Sequence, residues 1–235
     1  MEFNVFDFNE LDVRELDQKS QDIIEFRIKD IKVHYKHNLS GGGNLFGQDF
    51  VPLMNKLYPN KKFQNVFEWC SGPGFIGFAL LANDICDNLY LGDIHQPALD
   101  CCLITKQHLP EKYQNSIVET IQMSTPADID PSLQFDLIVS NPPHFNRSQK
   151  IYNSDAYWTS RLFADEDWTI HKDFFSNIKK NLRKDGVIIL QESFFGSGPD
   201  TFKKIVDDAG LKITRYIDTT RRVLYPVYYL EIMHK

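Results

Sequence analysis

The run Phe135-Asp136-Leu137-Ile138-Val139-Ser140 ends in Asn141-Pro142-Pro143-His144, and that junction constrains the chain more than any other stretch. The run is short, apolar and rich in β-formers, as a strand covered on both faces must be. Neither proline can donate to a ladder, so the strand stops there. The residue before a proline is held extended. Asn141 therefore sits rigidly at the carboxyl end of a central strand, where open α/β sheets place their ligand crevice. Its side chain offers one carbonyl oxygen and one amide in a fixed direction. Pro-Pro also serves as plain strand punctuation, so the junction alone does not name a ligand.

Two further strand ends point to the same crevice. Val66-Phe67-Glu68-Trp69-Cys70-Ser71-Gly72-Pro73-Gly74-Phe75-Ile76-Gly77 reads as strand, glycine turn and helix start. Glycines let the backbone turn tightly and approach a ligand closely. Leu89-Tyr90-Leu91-Gly92-Asp93 is a short strand ending in an acid, placed to accept hydrogen bonds from both hydroxyls of a ribose. Parallel strands share one carboxyl edge, so Glu68, Asp93 and Asn141 are expected to converge. The spacing Gly72-x-Gly74-x-x-Gly77, with an acid roughly 20 residues on, also fits a dinucleotide fingerprint. An NAD(P)-dependent oxidoreductase is thus a reading that the turn leaves open, although it gives no role to Asn141-Pro142-Pro143.

With that segment included, the chain resembles the class I S-adenosylmethionine (SAM)-dependent methyltransferases. Within them it is similar to the small methyltransferase domain group, which includes release-factor glutamine methyltransferases and RNA base N-methyltransferases. The resemblance covers roughly residues 44–235. Glu68 to Gly74 is similar to the family's first motif, and Asp93, in Gly92-Asp93-Ile94-His95, to the acid of its second. Phe135 to His144 is similar to its Asn-Pro-Pro segment, and Lys184 to Leu190 to a later turn and strand. The resemblance implies SAM as cofactor, held by Glu68, Cys70, Gly72, Gly74, Asp93, Ile94 and Ser124, with Phe46 as a wall. It implies that the Asn141 side-chain oxygen and the Pro142 carbonyl orient an acceptor nitrogen, while His144 stacks on it or hydrogen-bonds to it. Pro143, Phe145, Trp158 and Trp168 are the implied substrate contacts. Three positions depart from the pattern. Cys70 replaces the usual first glycine, His144 replaces an aromatic residue, and Thr120 to Thr125 lacks the acid that many relatives set against the adenine.

The remaining chain alternates strand and helix patterns, which implies α/β architecture with a mostly parallel sheet and helices on both faces. The resemblance adds the Rossmann-like class I form, with seven strands and the last one antiparallel. Residues 1–43 are expected as an N-terminal extension with a lid-like loop or plain connector at Ser40-Gly41-Gly42-Gly43-Asn44, and 44–235 as the methyltransferase domain. Ile23, Ile24, Phe26, Ile28, Ile31 and Val33 fit a strand or a helix. The interval from Phe145 to Ile170 has no clear period and carries many aromatic and charged groups. It fits either substrate recognition or a surface helix.

Net charge is −6, which excludes a general field attracting nucleic acid and leaves only local lysine clusters for it. A protein side chain or small molecule is therefore favoured as methyl acceptor over RNA or DNA. The four cysteines have no Cys-x-x-Cys spacing and the histidines none that suits a ligand set, so no metal is expected. No apolar run reaches the ~20 residues of a membrane span, and a cytoplasmic location is expected. A non-catalytic SAM-fold binding protein is the third reading. Retention of Asp93 and Asn141 weighs against it.

Overall fold

The computed structural model describes residues 22–39, 43, 47–146, 163–218 and 227–235. Residues 22–37 settle as a hairpin of β1 (Ile24–Ile28) and β2 (Ile31–Tyr35). In β1 every second residue turns inward, the period of a strand covered on one face. Lys29 takes the left-handed conformation in its turn. The hairpin packs on the same core as the main sheet.

That sheet has seven strands: β3 (Phe63–Trp69), β4 (Cys86–Asp93), β5 (Val118–Gln122), β6 (Phe135–Ser140), β7 (Leu182–Ser193), β8 (Leu211–Asp218) and β9 (Val227–His234). Their order is β5-β4-β3-β6-β7-β9-β8. The pairs among β3 to β7 are parallel, and the last strand, β9, runs antiparallel between β7 and β8. This is the expected mostly parallel seven-stranded sheet.

The helices are α1 (Phe50–Leu57), α2 (Phe75–Ala82), α3 (Gln96–Gln107), α4 (Thr169–Ile178) and α5 (Lys203–Asp208). Adjacent strand residues feed opposite cores, as a period of two requires. Val66, Leu89, Leu137 and Ile189 pack with α1, α2 and the hairpin. Phe67, Tyr90, Ile138 and Ile188 pack with α4 and α5. Each such side chain, fully buried, contributes roughly 1.5–3 kcal/mol. All eight residues of α2 are buried, because the sheet lies on one side of it and the hairpin on the other. Gly210, at φ 70°, ends the segment after α5, as its position in the sequence suggests. No helix among the described residues is long and apolar enough to cross a membrane.

Register brings the carboxyl edge into line. Trp69 of β3 stands opposite Gly92 of β4 and Ser140 of β6. The residues that follow each strand therefore emerge side by side.

Candidate functional site

The turn after β3 is built on three positive φ angles: Cys70 at 53°, Gly72 at 49° and Gly74 at 82°. Cys70, which stands where the resembled motif has its first glycine, holds the left-handed conformation that a glycine adopts without penalty. A Cβ at Gly74 would meet the Phe78 ring at 2.9 Å. Ser71 N–H donates to the Gly92 carbonyl at 3.0 Å, and Gly74 N–H to the Ser71 carbonyl at 2.8 Å.

Two acids brace this turn. Glu68 is fully buried beneath it. Its Oε1 accepts from Ile76 N–H at 3.3 Å and its Oε2 from Gly77 N–H at 2.7 Å, at the amino end of α2. Burial pushes its carboxyl up to about 8, although both N–H groups oppose the shift. Asp93 Oδ2 accepts from Gly72 N–H at 2.7 Å, and Oδ1 from His95 N–H at 2.9 Å. Burial raises its carboxyl too, against those hydrogen bonds. Asp93 therefore ties the end of β4 to the glycine turn, a task the strand-end reading did not include.

A cavity opens at this edge. Of the residues anticipated from the sequence, Glu68, Cys70, Gly72, Asp93, Ile94, Ser124, Asn141 and Pro143 line it. Leu39, Gly43, Phe75, His95, Met123 and Ile170 complete much of the wall. Leu39 comes from the segment after the hairpin, and no local pattern in the sequence places it there. Asn141 Oδ1 is buried and has no hydrogen-bond partner among the described residues. Buried polar atoms are rarely left unpaired, so this one points to an absent donor.

The other anticipated residues stand elsewhere. Gly74 shapes the turn and Pro142 is buried. Neither they nor His144, Phe145 and Trp168 line the cavity. Phe145 is engaged through its backbone: its N–H donates to the Phe163 carbonyl at 2.9 Å, and its carbonyl accepts from Asp165 N–H at 2.8 Å. Trp168 packs edge-on against Phe202, with ring centroids 4.9 Å apart, and against His171 at 5.4 Å. Phe46 and Trp158 lie outside the described residues.

His144 instead opens a chain of ionisable groups. Its Nδ1 lies 3.2 Å from Glu192 Oε2, at the end of β7. Glu192 Oε1 lies 2.9 Å from His171 Nε2, and His171 Nδ1 lies 2.6 Å from Asp165 Oδ2. Asp165, His171 and Glu192 are completely buried. Burial by itself would lower the His171 pKa, but the charges of Glu192 and Asp165 and their hydrogen bonds hold it at about 9. Burial likewise works to raise Glu192, and the His171 charge with the hydrogen bonds from both histidines brings it below its ordinary value. Nothing about His171 stood out in the sequence, since it has no ligand-like spacing. Glu192 carried a usable signal: it is an acid closing an apolar strand, as Asp93 is.

No family model matches the chain. A bifunctional methyltransferase from Rickettsia bellii is 28% identical over 168 residues, or 68% of this chain and 30% of that protein. The chain thus spans less than a third of that relative's length. Among solved structures, a ribosomal protein L11 methylase from Lactobacillus delbrueckii subsp. bulgaricus superposes with a TM-score of 0.55 at 15% identity, covering 80% of this chain and 79% of the other. The glycopeptide N-methyltransferase MtfA complexed with SAM gives 0.58 at 9% identity, covering 80% and 94%. The chain has the Rossmann-like methyltransferase fold.

Proposed function

We propose that this chain is a SAM-dependent methyltransferase acting on a planar amide or amino nitrogen. The observation that carries the reading is the buried, unpartnered Asn141 Oδ1 at the edge of a cavity floored by a glycine turn. The cavity suits the cofactor. Among the described residues, a Cβ at Gly72 would meet the Leu39 carbonyl alone, at 3.5 Å, which supports close approach of a ligand to the turn's backbone. Asp93 has acceptor capacity beyond the two N–H groups it already holds.

When bound, SAM supplies a methyl carbon activated by its sulfonium. The protein's task is then mainly positioning. An amide or exocyclic amino nitrogen delocalises its lone pair and is a poor nucleophile. Asn141 Oδ1 accepts one of its hydrogens and the Pro142 carbonyl the other, favouring the tetrahedral transition state. Cys70, Gly72, Asp93, Ile94 and Ser124 hold the cofactor, and Glu68 keeps the turn in shape. The net charge of −6 favours a protein side chain or small molecule as acceptor.

Calorimetry with SAM, S-adenosylhomocysteine and NAD tests the cofactor. The first two are expected to bind and NAD is not; the reverse would return the chain to the oxidoreductase reading. Transfer of a tritiated methyl group from SAM into fractionated lysate then identifies the acceptor class. Label confined to RNA or DNA would overturn the preference for protein or small molecules.

A further inference from the structure

We propose that His144 is the base that takes the proton from the acceptor nitrogen, and that Glu192, fixed by His171 and Asp165, is the positioning residue that sets its tautomer. The inference rests on the methyltransferase reading. It begins with what each group can donate. An ionised carboxylate only accepts hydrogen bonds. Asp165 Oδ2 and Glu192 Oε1 therefore each take one N–H of His171, which carries both protons at neutral pH. Glu192 Oε2 then accepts from His144 Nδ1. This leaves Nε2 of neutral His144 as the nitrogen with the free lone pair, and it has no hydrogen-bond partner among the described residues. The same logic orients the histidine of a hydrolase triad, where a buried carboxylate holds one ring nitrogen so that the other accepts a proton.

The chain of groups is rigid. Asp165 also accepts from Ile170 N–H at 2.8 Å and His171 N–H at 3.1 Å, binding it to the start of α4. His171 is stacked on Phe202 at 4.6 Å and edged by Trp69 and Trp168. His144 follows Pro143, which lines the cavity, and its side chain keeps 16% exposure where Glu192 has none. Gly196 lets the turn after β7 lie against the His144 carbonyl, where a Cβ would overlap it. The charged and titratable groups about His144 are Glu192 from β7, in direct contact, and behind Glu192 the His171 and Asp165 pair from the α4 side and Tyr228 from β9, which acts on Glu192.

The step balances simply. The acceptor nitrogen forms a bond to the methyl carbon as the carbon–sulfur bond breaks, with its electron pair left on sulfur. The nitrogen then carries one proton in excess. One of the nitrogen's two protons leaves its carbonyl acceptor and passes to His144 Nε2, and the imidazolium so formed faces the Glu192 carboxylate until it loses the proton to water.

The first measurement needs no acceptor. Heteronuclear NMR of the imidazole nitrogens in the full chain should show neutral His144 protonated at Nδ1, and Glu192→Gln should move it towards the Nε2-protonated form. A wild-type ring protonated at Nε2 would overturn the proposal, even if Glu192→Gln failed to fold. The second measurement uses tritiated-methyl SAM with the lysate fraction that takes up label. His144→Gln should lower transfer by about 10²-fold or more, the range for a lost general base. SAM affinity by calorimetry should stay as in wild type. Unchanged transfer by His144→Gln, with SAM bound as in wild type, would overturn this inference alone. A wild-type chain that binds no SAM would overturn the methyltransferase reading, and the role of His144 with it.

Discussion

Glu68 and Gly77 are fitted to each other. The Glu68 Oε2 accepts the Gly77 N–H at 2.7 Å, and a Cβ on Gly77 would stand 2.7 Å from that same oxygen. It would also stand 2.5 Å from Leu89 Cδ1. The third glycine of the fingerprint thus serves the contact between α2 and the sheet, and gives the carboxylate its way to the helix backbone.

Gly77→Ala should therefore destabilise the fold. Helix propensity alone would favour alanine by about 1 kcal/mol. Overpacking in a dense core costs typically ~1–3 kcal/mol, and here the opposing atoms belong to a buried strand and a buried acid. A lower urea midpoint with an unchanged slope is the expected result. A raised midpoint would show that the helix can shift away from β4.

Glu68 makes a pH prediction. Its carboxyl sits at about 8 in the folded chain against an ordinary 4.5. Between those values the folded chain holds a proton that the unfolded chain has released, so this group's contribution to stability falls as pH rises. Glu68→Gln keeps one acceptor oxygen and cannot titrate. The stability of the variant relative to wild type should improve steadily from pH 4.5 to 8, as read from urea midpoints. His171, held at about 9 against 6.5, adds a fall of the same sign at higher pH in both proteins. Parallel curves for the two proteins would place Glu68 outside this account.

Asp93→Ala should weaken SAM binding by roughly 1.5–3 kcal/mol, the range for hydrogen bonds to a charged group. Asp93→Asn keeps one acceptor and should fall between it and wild type. Calorimetry measures both. Wild-type affinity in folded Asp93→Ala would remove this residue from the cofactor site.

Asn141→Ala should lower turnover by about 10²-fold or more, as loss of a directed transition-state hydrogen bond does. SAM affinity should barely change, because the role proposed for the side chain is on the acceptor. Single-turnover transfer from tritiated-methyl SAM separates the two effects. Full turnover would leave the unpartnered Oδ1 without a function in catalysis.

Much of the site was legible because its signals are local. An acid or an asparagine closing an apolar strand marks a position on the carboxyl edge, and a parallel sheet brings such positions together. Glu68, Asp93 and Asn141 were found that way, and all three line one cavity. The hairpin at 24–35 was half legible: its apolar positions suited two periods until partners were seen. The chain of Asp165, His171, Glu192 and His144 was not legible. Glu192 lies 48 residues from His144 and 21 from His171, and the pairing of such groups depends on which strands are neighbours. Trp168 shows the reverse case. Its place in an aromatic-rich interval suggested a substrate contact, while its ring packs on Phe202 and His171 and does not line the cavity.

The two hydrogen bonds of Phe145, to Phe163 and Asp165, have an evolutionary consequence. They fasten the chain leaving the Asn-Pro-Pro segment to the chain that returns to α4, and Asp167 N–H adds a third tie to Asn146 Oδ1 at 2.8 Å. The described residues on either side of 147–162 are thereby held together. Lengthening a segment whose ends are already held together carries a small entropic penalty, on the order of 0.6 kcal/mol per doubling. Insertions between the two held ends can therefore accumulate over generations at little cost to the strands that this clasp adjoins.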